Sequence, residues 1–210
     1  MITIDQIRIA LQHCAHQPAA FEPAPSQAAV AMILADGEHD LEVCFIRRAE
    51  RAGDPWSGQV AFPGGRAGRD DRDAHEVAER ETWEEIGLSL AADHRIGPLP
   101  VREVVRPERE NSLTLSPFVY YIGAGSAILD LASHAHEVAD VFWVPLCHLF
   151  AASAATELDY PIDGVAMTFP GIQFRDQVIW GLTLNVLNSF ADIVRPHLTA
   201  VTETATGTMP

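Results

Sequence analysis

The chain has 210 residues and a formal net charge of −15, and all of its 14 basic Lys/Arg positions are arginines. Because so acidic a protein gains little from attraction to a phosphate backbone, DNA and RNA are not expected partners. No apolar run reaches the roughly 18 residues of a membrane span, and the N-terminus lacks a basic segment followed by an apolar one, so no membrane partner is expected either.

The cysteines point to a reducing compartment. Cys14, Cys44 and Cys147 are odd in number, widely spaced and flanked by apolar residues. This pattern fits buried thiols better than a disulfide framework or a zinc site, so we expect a cytoplasmic protein.

The N-terminal part predicts one helix, a linker and a hairpin. Ile7, Ala10 and Leu11 have helical spacing within residues 4–13. A proline-rich linker follows, so residues 1–26 are predicted to be a helix and linker that precede the main domain. Two apolar runs, residues 28–34 and 41–49, are separated by a turn and predict paired strands.

Residues 61–88 predict a strand, a loop and a helix. A Pro63-Gly64-Gly65 turn closes the strand, and the helical pattern begins after an aspartate-rich segment at residues 70–73. Short carboxylates suit a helix N-terminus, and Gly87 suits a helix end because it adopts the left-handed conformation without a Cβ penalty.

Three carboxylates lie close together near the end of that helix. Glu81, Glu84 and Glu85 have the spacing i, i+3 and i+4, so they project from one face, and Arg80 is placed to brace them together with Glu76 and Glu84. The ordinary interpretation of such a triplet is a solvated acidic face. The neighbouring Gly-Gly turn favours a second interpretation, a site for Mg²⁺ or Mn²⁺, which prefer oxygen ligands.

These residues resemble a known family signature. Gly65, Asp71 and the run Arg80-Glu81-Thr82-Trp83-Glu84-Glu85-Ile86-Gly87-Leu88 resemble the Nudix box of the Nudix hydrolases. Two positions depart from the pattern: eight residues rather than seven separate Asp71 from Arg80, and Thr82 replaces an aliphatic residue. The first departure leaves the bracing role of Asp71 open.

The resemblance implies a fold and an activity. The implied fold is an α/β/α sandwich around a mixed sheet, and the implied reaction is metal-dependent hydrolysis of the diphosphate in a nucleoside diphosphate linked to another moiety. The implied metal ligands are Glu81, Glu84, Glu85 and the carbonyl of Gly64, with Arg80 in the catalytic group and one glutamate as the base.

A narrower resemblance concerns the coenzyme A pyrophosphatase branch of the family. Arg48-Ala49, Gly58 with Phe62-Pro63-Gly64-Gly65, and the run Ile179-Trp180-Gly181-Leu182-Thr183 are similar to that branch. It implies coenzyme A or its derivatives as substrate. Arg47, Arg48 and Gly65 are the candidate substrate-binding residues, and a solvated strand end is the alternative interpretation of the arginines.

The second half of the chain adds one more candidate acid. Glu137 precedes a strand that contains Trp143, as in Nudix enzymes in which a loop acid binds a further metal or acts as base. Residues 113–122 predict a strand whose first half is not central because of Pro117. Residues 146–155 predict a helix, and a last long helix is predicted to open at Val178.

The predicted organisation is one Nudix domain over residues 27–195 and a flexible tail over 196–210. The expected partner is a small nucleotide, and a homodimer is the expected assembly. Within the enzyme class, ADP-ribose, nucleotide sugars, dinucleotides and nucleoside triphosphates are the alternative substrates. The rival class is a nucleotide-binding module that has lost turnover.

Overall fold

The structure, a computed structural model, describes residues 2–14, 20–53, 56–104, 112–123, 136–162 and 165–204, and the charged loop at 105–111 lies outside them. In chain order its elements are α1 (Ile4–His13), β1 (Gln27–Asp36), β2 (Leu41–Arg48), β3 (Val60–Ala61), β4 (Gly64–Arg66), α2 (Ala74–Ile86), β5 (Arg95–Pro98), β6 (Arg102–Val104), β7 (Leu113–Tyr121), β8 (Val138–Pro145), α3 (Leu146–Leu149), β9 (Ala155–Ile162), β10 (Val165–Phe174), β11 (Gln177–Trp180) and α4 (Gly181–Thr204).

The larger sheet is mixed and is built around β1. One side of β1 pairs in parallel with β7, and the other side pairs antiparallel with β2 and with β4. Beyond these, β8 and β3 pair with β2, while β5 and β6 pair with β7. The predicted hairpin is confirmed, with Leu34 opposite Val43 and Asp36 opposite Leu41.

Helices cover both faces of this sheet. Alternate residues of β1 enter two separate cores: Met32 and Leu34 pack with residues of α1 and α4, whereas Ala31 and Ile33 pack with residues of α2. Burial on both faces explains why the sequence of β1 is a continuous apolar run and does not alternate between apolar and polar residues. The architecture is the predicted α/β/α sandwich around a mixed sheet.

A second sheet of three strands, in the order β11-β10-β9, connects the first sheet to the last helix. It corrects two predictions. The residues from Val178 to Trp180 belong to β11, so the long helix begins only at Gly181. The helix predicted over residues 146–155 is reduced to the single turn of α3, followed by a 3₁₀ turn and β9.

Pro117 lies inside a strand that is paired on both sides, contrary to the prediction. On one side Pro117 is opposite Val30 of the parallel strand β1. On the other side it lies between the segments paired with β6 and β5, where its carbonyl accepts from the N–H of Leu99 at 2.9 Å. Because the partner strand is interrupted there, the missing proline N–H costs no ladder hydrogen bond on that side.

Other expectations concern the chain ends and the compartment. The helix α4 runs to Thr204 and so includes residues 196–204 of the tail predicted over 196–210, and the rest of that tail lies outside the described residues. The three cysteines are unpaired, and among the described residues no helix is long and apolar enough to cross a membrane. The domain boundaries and the cytoplasmic location stay predictions.

The first testable prediction concerns α1, which packs against α4 and β5. Ile7 is fully buried, whereas Ile9 on the same helix is 49% exposed. We expect Ile7→Ala to lower the free energy of unfolding by about 2–4 kcal/mol, because it leaves a cavity in the core. Ile9→Ala is the matched control and is expected to stay within about 0.5 kcal/mol of wild type. Equal values for the two variants in urea unfolding would show that α1 does not belong to the folded core.

Candidate active site

The glycine turn leaves no room for side chains. Gly64 has a φ of 149°, and a Cβ built on it would lie 2.3 Å from the carbonyl oxygen of Ala29. A Cβ on Gly65 would lie 2.3 Å from the carboxyl carbon of Glu81. Real Cβ atoms essentially never lie this close to a non-bonded atom. The backbone of the turn therefore lies directly against β1 on one side and against an acidic side chain of α2 on the other.

Both ends of α2 form as the sequence predicts. Asp73 is the N-cap, and its side chain accepts from the N–H of Glu76 at 2.9 Å. Gly87 ends the helix in the left-handed conformation, with a φ of 71°. These caps fix where the helix starts and stops, and therefore which turn presents Glu81 and Glu85 to the glycine turn.

Arg80 joins the parts of the site together. Its Nε and Nη2 donate to the two carboxylate oxygens of Asp71 at 3.0 and 2.9 Å. Its Nη1 donates to Glu81 at 2.9 Å and to Glu84 at 3.1 Å. Glu76 does not share in this bracing, since it pairs with Arg72 instead.

Asp71 braces Arg80 in spite of the extra residue before the helix. Asp71 is 7% exposed, and it also accepts from the N–H of Gly68 at 2.7 Å. The hydrogen bonds from Arg80 hold the pKa of Asp71 below its usual value, against the opposing effect of burial. The turn before α2 accommodates the extra residue. Asp71 therefore has the bracing role that the sequence left open.

Glu85 is the most deeply buried of the three clustered acids, at 4% exposure. Its carboxylate accepts from the N–H of Gly64 at 2.9 Å. Burial raises the pKa of Glu85 to about 8; the Gly64 hydrogen bond and Arg48 oppose this, and the charges of Glu81 and Glu137 add to it. Burial also raises the pKa of Glu81. Near neutral pH, an added proton or cation is therefore needed to stabilise this pair.

A cavity of about 560 Å³ opens beside the glycine turn. Glu81 and Glu85 lie against the two glycines and form the charged, acidic end of the cavity, and Arg48, Arg66 and Glu137 also line it. Its large apolar lining residues are Trp56, Phe62, Leu113, Leu115, Trp180 and Leu182. The cavity can therefore receive a molecule with one strongly charged part and one uncharged part.

Comparison with known families identifies the fold. The NUDIX domain family matches the chain over residues 25–163, which is more than half of its length. The chain belongs to the Nudix family. The resemblance of residues 65–88 to the Nudix box is thereby confirmed.

Nudix proteins of known sequence or structure resemble the chain over different spans. A relative from Yersinia pestis (strain Pestoides F), "Uncharacterized Nudix hydrolase NudL", is 30% identical over 139 residues, which are 66% of this chain and 65% of the relative. The match thus spans slightly less than two thirds of that protein.

Two solved Nudix structures share the fold. A MutT/nudix family protein from Enterococcus faecalis has a TM-score of 0.56 and 18% identity, with 92% of this chain and 70% of that chain covered. Shewanella oneidensis NrtR, solved with a 27mer DNA, has a TM-score of 0.51 and 14% identity, with 83% and 63% covered. At these identities the likeness concerns the fold alone.

The structure brings most of the candidate Nudix site residues together, but not all. Gly64, Gly65, Glu81 and Glu85 meet at the charged end of the cavity. Glu84 does not line it: its side chain is 53% exposed and lies against Arg80. The second departure from the Nudix box, Thr82, is fully buried, and its hydroxyl donates to the carbonyl of Ala78 at 2.6 Å, so the exchange leaves no unsatisfied group.

The remaining candidates lie on and behind the wall of the cavity. Arg48 lines it, whereas its neighbour Arg47, across a shift in the strand register, does not. Glu137 also lines it, and Arg51 donates to the Glu137 carboxylate at 2.7 Å. Sequence reasoning missed Arg66, Leu113 and Leu115 as lining residues; they follow no shared motif and meet only through the fold.

The acidic end fits a hard divalent cation by its chemistry. Glu81 and Glu85 offer carboxylate oxygens beside the backbone of Gly64, which is the ligand type that Mg²⁺ and Mn²⁺ prefer. Within the described ranges, however, no three His, Cys, Asp or Glu side chains converge on one point. Glu84 accepts from the same nitrogen of Arg80 as Glu81, so its exposed carboxylate lies close to that of Glu81.

The second prediction concerns the ion pair of Asp71 and Arg80. We expect Asp71→Asn to lower the free energy of unfolding by about 1–3 kcal/mol at pH 7, since Arg80 loses its bidentate carboxylate partner but keeps Glu81 and Glu84 and is itself one-third exposed. The exposed Asp70→Asn is the control and should stay within about 0.5 kcal/mol of wild type.

The pH dependence of this ion pair has a definite sign. Because the folded pKa of Asp71 is lowered, its contribution is fully present above the unfolded value of about 3.9 and is lost as the pH falls through the folded pKa. The difference between wild type and Asp71→Asn should therefore shrink below about pH 4. An undiminished difference at pH 3 in urea unfolding would contradict the ion-pair assignment.

The third prediction concerns Glu85 in metal-free protein. Between the unfolded pKa of about 4.3 and the folded pKa of about 8, only the folded state holds the proton. The free energy of unfolding should therefore fall as the pH rises through this window, by at most about 1.4 kcal/mol per pH unit. Glu85→Gln should flatten this slope in urea unfolding with a chelator present, whereas Glu76→Gln should leave it unchanged. An unchanged slope in Glu85→Gln would show that Glu85 is not the titrating group.

Proposed function

We propose that the protein is a pyrophosphohydrolase that cleaves the diphosphate bond of a nucleoside diphosphate linked to another moiety. The observation that carries the proposal is the cavity itself, which is lined by Glu81 and Glu85 against the glycine turn and by several large apolar side chains. Membership of the Nudix family supports the same reaction class. Coenzyme A or one of its derivatives is the proposed substrate, on the sequence likeness at Arg48-Ala49, Gly58 with residues 62–65, and residues 179–183.

A divalent cation, Mg²⁺ or Mn²⁺, is part of the proposal. Glu81, Glu84 and Glu85 with the carbonyl of Gly64 would hold it, since these are oxygen donors close to the charged end of the cavity. When bound, such an ion neutralises phosphate charge and lowers the pKa of a coordinated water. A cation here would also satisfy the buried carboxylate of Glu85, whose raised pKa shows that its charge is not fully compensated by the protein.

The other roles fall to side chains around this centre. Arg80 is a positioning residue, because its bonds to Asp71, Glu81 and Glu84 fix the carboxylates relative to the glycine turn. Arg48 lines the cavity and is proposed to bind a phosphate. Glu137 is proposed as the base or as a further metal ligand, and its pairing with Arg51 orients it at the cavity wall.

The rival class, a nucleotide-binding module without turnover, loses its main argument. The two departures from the Nudix box suggested it, but Asp71 still braces Arg80 and Thr82 is buried with its hydroxyl satisfied. Neither departure disturbs Glu81 or Glu85. We therefore favour an active enzyme.

The fourth prediction tests the activity and the substrate together. Release of 3′,5′-ADP from coenzyme A and of AMP from ADP-ribose, measured with Mg²⁺ or Mn²⁺, should favour coenzyme A. Glu85→Gln should lower kcat by about 100-fold or more, because metal-centred charge stabilisation is worth several kcal/mol. We expect the same of Glu84→Gln, which removes the third proposed ligand.

Glu76→Gln is the matched control on the same helix, since Glu76 pairs with Arg72 away from the cavity. It should keep wild-type turnover, and all variants should keep the wild-type far-UV circular dichroism. Turnover that is unchanged in Glu85→Gln would reject the site. Faster release from ADP-ribose would move the substrate assignment to the alternative class. Nucleotide binding without any product would favour the module.

A further inference from the structure

One wall of the cavity comes from outside the part of the chain that the family shares. The NUDIX match ends at residue 163. Trp180, Leu182, Thr183 and Val186, which line the cavity, belong to β11 and α4 beyond that point. The acidic residues belong to the matched part, so this wall can vary between proteins without altering the acidic end.

Trp180 is the largest side chain of this wall, and other aromatic rings hold it. The ring centroid of Tyr160 lies 4.8 Å from that of Trp180, and the Phe169 centroid lies 5.4 Å away, each with an interplanar angle of 44°. Tyr160 and Phe169 come from β9 and β10, the strands that extend the small sheet. The indole is therefore supported from behind and remains half-buried at the cavity.

The helix that follows Trp180, α4, is also attached to strand β3 by a hydrogen bond. The hydroxyl of Thr183 is buried and donates to the carbonyl of Val60 in β3 at 2.9 Å. This bond ties the first turn of α4 to the large sheet three residues after Trp180. The position of the indole is thus set before any ligand enters, which lowers the entropic cost of using it for binding.

The apolar lining of the cavity suits an uncharged planar group. Trp180 lines the cavity together with Leu113, Leu115 and Leu182, whereas the two buried acids lie at the glycine turn. A supported indole offers a flat face on which a planar ring can stack, and any nucleobase has such a ring. An aliphatic chain would need only apolar surface, which Leu113, Leu115 and Leu182 already supply.

We propose that Trp180 is a specificity-determining residue that stacks on the nucleobase of the substrate, with Tyr160 and Phe169 as its positioning residues. This inference rests on the proposed function, because it places the diphosphate at Glu81 and Glu85 and the base on Trp180. It goes beyond that function by assigning base recognition to the segment that follows the family-shared domain.

The test compares two ligands that differ only in the base, AMP and ribose 5-phosphate. Isothermal titration should show that wild type binds AMP about 10- to 100-fold more tightly. Trp180→Leu should reduce this preference to about threefold or less, and its affinity for ribose 5-phosphate should equal that of wild type. Trp83→Leu is the matched control, since Trp83 is 58% exposed on α2 and does not line the cavity, and it should keep the full preference.

Further variants keep the test decisive. Trp180→Phe retains an aromatic ring and should have an intermediate preference for AMP over ribose 5-phosphate. It replaces Trp180→Leu in the test if melting curves show that Trp180→Leu is unfolded. Trp56 also lines the cavity, and Trp56→Leu should leave most of the preference in place. The inference is overturned if wild type shows no preference for AMP, if Trp180→Leu and Trp180→Phe keep it, or if Trp56→Leu alone removes it.

The same data separate the inference from the proposed function. If wild type hydrolyses no diphosphate but its base preference disappears in Trp180→Leu, the enzyme proposal fails and the stacking assignment stands. If hydrolysis is lost in Glu85→Gln while the base preference is unaffected by Trp180→Leu, the enzyme proposal stands and the stacking assignment fails.

Discussion

The site depends on a close contact between a glycine turn and the acidic end of a helix. The Cα of Gly65 lies against the carboxylate of Glu81, and the N–H of Gly64 donates to Glu85. A side chain at Gly64 would force the turn away from the backbone of β1, and a side chain at Gly65 would displace the carboxylate of Glu81. The contact thus creates a place where negative charge is concentrated and poorly solvated, which is costly unless positive charge is supplied.

The protein supplies part of that positive charge through Arg80. The contacts of Arg80 show which of the carboxylates it neutralises and which one it does not. Its guanidinium neutralises Asp71 in a bidentate pair and shares one nitrogen between Glu81 and Glu84. Among the described residues, Glu85 accepts from the N–H of Gly64 and is affected by the charge of Arg48, yet burial still raises its pKa. The unbalanced charge is therefore located at the cavity and not at the surface, where water would screen it.

Sequence reasoning succeeded where local chemistry decides the structure. Asp73 and Gly87 cap α2 because their conformations are set within a few residues. It failed where distant partners decide: Pro117 is tolerated inside β7 only because the neighbouring strand is interrupted beside it. The residues before Gly181 form β11 because β10 pairs with them, although their apolar pattern fits a helix equally well. The cavity was beyond prediction for the same reason, since its lining residues are drawn from elements between β1 and α4.

The same distinction between local and distant determinants applies to the two parts of the cavity, its acidic end and its apolar wall. The acidic end is encoded in one short run, residues 64–85, whose internal spacing fixes the relative positions of its carboxylates. The apolar wall is assembled from β3, β7, β11 and α4, so its shape changes whenever any of these elements moves or varies. Because the two sets lie on different elements, a substitution in the apolar wall, such as one at Trp180, leaves Glu81, Glu85 and the glycine turn in place. The family match, which ends at residue 163, therefore covers the acidic end but only part of the wall.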